Sequence, residues 1–186
     1  SSGDTTECIK LKFPKLKLKI LKVSYCIKFG EINFRSKKNI ITYSSRKLPQ
    51  HSNLVISYLK PHLPTKWSLK NLHNLSNREF TSSIKKSKIF LSFSYLEGLG
   101  LPPVEAALTG NQVIGYTGEG GNEYWEKPLF TKINFGQINQ FVKTIIKRTN
   151  KDELKKNYSK KKINKLKKKF SALSEIKSIN KFLKLI

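Results

Sequence analysis

Apolar residues recur along this chain in two rhythms, and the changes of rhythm mark its elements. Near the start, Ile9, Leu11 and Phe13 alternate with Lys10 and Lys12, and after Pro14 the phase flips to Leu16, Leu18 and Ile20. A period of two predicts strands with one wet face, broken at the proline. Asn39 to Tyr43 is a short apolar run that reads as a buried strand, with Ser44-Ser45-Arg46-Lys47 as its C-terminal turn. Ser52 to Leu59 reads as a helix ending near Pro61, and Lys66 to Leu69 as a short strand centred on Trp67. Ser76 followed by Glu79 has the spacing of a capping box and predicts a helix from Asn77 to Lys86. Ile89 to Phe93 and Val113 to Tyr116 are strand-like runs, separated by a helix that begins at the Pro102-Pro103 pair. From Phe135 to Arg148 the rhythm becomes helical through Ile138, Phe141, Ile145 and Ile146.

Strands that alternate with helices imply an α/β fold: a Rossmann-like parallel sheet flanked by helices. On this reading residues 39–150 form the α/β domain. Residues 1–38 are an N-terminal basic segment, either an interdomain remnant with edge strands or a basic arm. Residues 151–186 carry Leu154, Tyr158, Ile163, Leu166, Phe170 and Leu173 at roughly helical spacing among many lysines. They predict one or two basic amphipathic helices packed on the domain. Trp67 and Phe93 are expected in the core.

Composition narrows the function classes. The formal charge is +25, from 37 basic and 12 acidic residues in 186. Such a chain attracts polyanions, whether nucleic acid, lipid headgroups or sugar diphosphates. Its carboxylates are few, yet Glu97, Glu105, Glu119, Glu123 and Glu126 crowd into one region, as if placed there for a site. Cys8 and Cys26 show neither metal spacing nor a disulfide framework, and His51, His62 and His73 form no ligand pattern. A reducing cytoplasmic compartment is expected, with no resident cofactor and no metal. No apolar run is long enough to cross a bilayer.

The chemistry concentrates between Ser87 and Trp125: an apolar strand, a turn with Glu97, Gly98 and Gly100, a helix with Glu105, a second strand, and a glycine loop from Gly118 to Gly121. Strand, glycine turn and helix is the arrangement by which α/β proteins hold phosphorylated ligands. In the turn Gly98-Leu99-Gly100-Leu101, glycine lets backbone N–H groups approach an anion closely. An ordinary β–α turn, with glycines for geometry alone, is the plainer reading of the same residues.

Taken together, Glu97, Glu105 and the EGLGLPPVEA segment resemble the nucleotide-sugar-binding half of GT-B glycosyltransferases, of the retaining Glu-x7-Glu class (glycosyltransferase family 4-like, or group 1). The resemblance covers roughly residues 39–148. It implies that Glu97 meets the donor sugar near the developing charge at the anomeric carbon. It implies that Glu105, in the first turn of its helix, accepts both ribose hydroxyls. It also implies a basic pair after the first strand that holds the diphosphate and stabilises the leaving group; here the candidates are Arg46 and Lys47. The family spaces these two apart, whereas here they are adjacent, so one is expected to point inward and Arg46 is favoured for its planar fork. Gly118, Gly120 and Gly121 resemble the family's second glycine loop, with Glu123 and Tyr124 able to orient it.

The expected function is the donor-binding part of a retaining glycosyltransferase. It would move a sugar from a nucleotide diphosphate sugar to a hydroxyl acceptor, either a glycan or a lipid-linked molecule. GT-B enzymes have two such domains and this chain contains no methionine. A C-terminal fragment without its N-terminal acceptor-binding domain is therefore expected, inactive alone. An anionic membrane surface is a further candidate partner, which would place the protein at the inner face of the membrane. The alternatives are a basic nucleic-acid-binding module and a non-catalytic sugar-nucleotide domain.

Overall fold

The computed structural model describes residues 3–15, 20–28, 30–151 and 158–184. Five parallel strands form one sheet, in the order β2-β1-β3-β4-β5: β1 Lys38–Tyr43, β2 Ser68–Asn71, β3 Ser87–Glu97, β4 Gln112–Glu119 and β5 Phe130–Lys132. Helix α1 (Gly3–Lys12) precedes the sheet. Helices α2 (Pro49–Leu59), α3 (Asn77–Lys86), α4 (Leu101–Leu108) and α5 (Ile138–Lys151) are interleaved with the strands, and α6 (Lys160–Lys169) and α7 (Ala172–Leu183) follow.

Side-chain alternation along the central strands builds two cores. Ile41, Ile89, Leu91, Phe93, Ile114 and Tyr116 face α2 and α5, where Val55, Leu59, Phe141 and Ile145 close the layer. Phe90 and Val113 face the other way, onto Ile84 of α3, Val104 and Leu108 of α4, and Ile163 and Leu166 of α6. Burying each large aliphatic side chain is worth about 1.5–3 kcal/mol, so β3 and β4, buried on both faces, are the backbone of the fold. The expected parallel α/β sheet with helices on both faces is the observed one.

Below the sheet, at the N-terminal ends of its strands, a buried polar network ties the layers together. Ser87 Oγ donates to Asn111 Oδ1 at 2.7 Å, and Asn111 Nδ2 donates to the carbonyls of Ile84 at 2.8 Å and Ala106 at 3.0 Å. Lys37 reaches the same Ile84 carbonyl at 3.1 Å, and burial pushes its amine down to about 7.

Three local expectations fail. Ile9, Leu11 and Phe13 lie on or just beyond a helix, not on a strand, and all are exposed, Leu11 by 80%. Strict alternation gives a helix no apolar face, so α1 buries little; Leu16 and Leu18 lie outside the described residues. Trp67 precedes β2 rather than centring it, because its indole is anchored in the core and donates to the Thr149 carbonyl at 3.1 Å. Leu173 belongs to α7 and is 70% exposed, while Leu154 lies outside the described residues. Helix α7 docks by its polar side: Glu175 and Ser178 accept the backbone N–H groups of Cys26 and Ser24. Its apolar stripe, with Ile176, Ile179 and Leu183, is left open.

Candidate functional site

In a sheet of order 2-1-3-4-5, the chain leaves β1 toward one edge and returns to β3 on the other side. The crevice above the carboxyl ends of β1 and β3 is therefore the topological switch point, where open α/β sheets bind ligands. Of the segments expected to carry chemistry, the turn after β1, the end of β3 and the start of α4 meet there, while Gly98, Leu99, Gly100 and Leu101 do not line the pocket. A shallow pocket at this edge is lined by Ser44, Arg46 and Lys47 after β1, by Glu97 at the end of β3, and by Pro102 and Pro103 of α4.

Arg46 and Lys47 both line this pocket, so adjacency does not turn one of them away. Lys47 Nζ forms an ion pair with Glu97 Oε1 across the crevice. The carboxylate is the better shielded of the two, at 16% side-chain exposure against 41% for the lysine. Arg46 is exposed and forms no ion pair among the described residues.

Gly100 caps α4 in the left-handed region, at φ 72°, and no side chain caps the helix. Pro102 and Pro103 occupy its first turn and remove two N–H groups. The N-terminus therefore keeps its dipole and the backbone donors of Gly100 and Leu101, which form no backbone hydrogen bond among the described residues. Glu105 is not in this first turn, because α4 already begins at Leu101. It sits one turn further along, half-buried, and does not line the pocket beside Glu97. Its carboxylate has no hydrogen-bonding or ionic partner among the described residues, and burial raises its pKa above the usual range.

The second glycine loop supports the first. A Cβ on Gly118, which has φ 63°, would meet Ser94 Cβ at 2.8 Å and Glu97 Cγ at 2.9 Å. One on Gly120 would collide with the carbonyls of Glu97 and Gly98, and Gly121 packs on Trp125. These glycines let β4 and its loop close tightly on the turn that carries Glu97. They do not line the pocket. Glu119, paired in register with Glu97, takes a positive φ of 61° at the same junction. Over the loop lies α1, with Thr5 beside Gly98.

The acidic cluster divides into two jobs. Glu97 and Glu105 stay with β3 and α4. Glu126 instead receives Lys162 and Lys165 of α6, which hold its carboxyl at about 2, and Glu123 pairs with Lys22 and Lys169. These two carboxylates dock the basic helix and do not belong to the crevice. Sequence reasoning missed this, because lysines 36 to 46 residues away leave no local signal. It also missed the reach of Tyr124, whose hydroxyl donates to the carbonyls of Leu99 at 2.9 Å and Gly100 at 2.8 Å. Among the described residues no cluster of three or more His, Cys, Asp or Glu could hold a metal, and no helix is long and apolar enough to cross a membrane.

The class that fold and crevice define is an open, doubly wound α/β domain with a basic, glycine-framed switch point. Among solved structures the chain is similar to GT-B glycosyltransferases. A point mutant of S. aureus TarM in complex with fondaparinux, α-GlcNAc-glycerol and UDP superposes with a TM-score of 0.75 at 16% identity, covering 94% of this chain and 42% of that one. A second TarM structure gives 0.70 at 17% identity, covering 96% and 42%. The pneumococcal O-GlcNAc transferase GtfA, in complex with UDP and GlcNAc, gives 0.66 at 13% identity, covering 100% and 43%. At these identities what is shared is the fold, and the chain spans less than half the length of those proteins. No family model matches the chain, and no curated protein matches it in sequence.

Proposed function

We propose that this chain is the donor-binding part of a retaining glycosyltransferase that takes a nucleotide diphosphate sugar. One observation carries the reading. The switch-point crevice joins two basic side chains, a carboxylate and an uncapped helix N-terminus, the set that a sugar diphosphate requires. Arg46 and the free donors of Gly100 and Leu101 bind the diphosphate, with Gly98 and Leu99 shaping the approach. Lys47 neutralises the β-phosphate as it leaves, and Glu97 faces the positive charge that develops on the departing sugar. The Lys47–Glu97 pair holds both groups in place until a donor separates them. Glu105, partnerless and half-buried, accepts the ribose hydroxyls. Gly118, Gly120 and Gly121 act indirectly, by fixing the turn.

The acceptor and the rest of the catalytic machinery belong, on this reading, to a second domain. The open stripe on α7 and the exposed Val23 and Tyr25 beside it are the apolar surface for that domain to cover. The chain alone is expected to bind donor and to transfer no sugar. Ligand-observed NMR with UDP-, GDP- and ADP-sugars tests this. Donors of one base should show binding that Arg46→Ala together with Lys47→Ala removes. Equal signals for all bases, unaffected by the substitutions, or sugar transfer at an ordinary turnover by the chain alone, would refute it.

A further inference from the structure

The turn between β3 and α4 is held from beneath by one buried phenol. Tyr124 is 4% exposed, and its ring is wedged edge-on between Phe130 and Phe170, at centroid distances of 5.5 and 5.7 Å. Its hydroxyl lies 2.9 Å from the Leu99 carbonyl oxygen and 2.8 Å from that of Gly100. A Cβ on Gly100 would sit 3.1 Å from the same oxygen, so the contact depends on a glycine there. In a trans peptide the C=O and N–H point in opposite directions. Two carbonyls turned down onto Tyr124 therefore turn the N–H groups of Gly100 and Leu101 the other way, away from the core. Among the described residues neither N–H bonds to a backbone carbonyl, which leaves both free for a ligand.

We propose that Tyr124 is a positioning residue. Its hydroxyl clamps the Leu99 and Gly100 carbonyls and so presents the turn's N–H groups to the diphosphate of the donor. The role rests on the donor-site reading above. Burial holds the phenol proton far above its ordinary range, so the clamp remains a donor at every physiological pH. The clamp also ties the crevice to α6. Lys169, one residue before the ring partner Phe170, donates to the Glu123 carbonyl at 3.1 Å, and Glu123 adjoins Tyr124.

The test is Tyr124→Phe in the full chain, which keeps the ring packing and removes only the hydroxyl. UDP, GDP and ADP are titrated beside the matching nucleosides, and amide hydrogen exchange is followed across Gly98–Leu101. The expected result is diphosphate binding about tenfold weaker, the scale of one lost hydrogen bond. Nucleoside binding should be unchanged, and exchange in the turn faster. A purely structural role would weaken nucleoside and diphosphate alike, and that result overturns the proposal. Unchanged exchange together with unchanged diphosphate affinity overturns it as well. If no nucleotide binds the wild-type chain but the variant's turn exchanges faster, the clamp is supported and the donor-site reading falls.

Discussion

Glu105 is a half-buried carboxylate with no partner among the described residues, and its pH behaviour follows from that. Burial raises its folded pKa above the ordinary carboxylate value of 4.5. Between 4.5 and that raised value the unfolded chain is ionised while the folded chain is still protonated, so stability falls as pH rises through the window. Below 4.5 both states are protonated and the cost vanishes. Glu105→Gln should therefore melt higher than the wild type at pH 7 and equal to it near pH 4, while losing nucleotide binding. A variant less stable at pH 7 would show that Glu105 already has an internal partner. Its place on the helix that follows Glu97 was legible in the sequence because that spacing is local, although its turn of the helix was not. The Tyr124 contact with the first glycine turn and the burial of Lys37 were not. The first acts on carbonyls 24 and 25 residues away, and nothing about a lysine at a strand entrance marks it as buried.

Elements were legible where one rule governed them. The Ser76 capping box, with the Ser76 N–H reaching Glu79 Oε2 at 2.9 Å and the hydroxyl accepting from the Glu79 N–H, opens α3 as expected. The runs at Ile89 and Val113 became β3 and β4 because sheet partners bury both faces. In α1 the local period of two was overridden, and the helix that formed has no apolar face to bury. Helix α6 shows the limit of periodicity: Ile163 and Leu166 supply its apolar contact, but Glu126 fixes where the lysine face lands. The pair has a pH signature. Lys162 and Lys165 hold Glu126 at about 2 against an ordinary value of 4.5, so its contribution is complete above 4.5 and is lost as pH falls toward 2. Hydrogen exchange along α6 should accelerate across that window relative to β3. In Glu126→Gln it should already be fast at pH 6. Salt should act in the same direction, because both lysines and the carboxylate are partly exposed. Identical α6 exchange in variant and wild type at pH 6 would mean that the apolar contact alone docks the helix.

Across the whole molecule, five parallel strands in the order 2-1-3-4-5 bring residues 46, 47, 97, 102 and 103 to one edge although they come from distant parts of the sequence. The charge of +25 acts at this scale too, drawing any polyanion toward the surface, so specific recognition must be separated from general attraction. Calorimetric titration with UDP, GDP and ADP at moderate salt, on the wild type and on Glu105→Ala, makes that separation. The account predicts that one nucleotide binds the wild type and that the variant loses it. Weak, equal binding of all three, the same in both proteins, would contradict it and leave a shared fold without donor recognition.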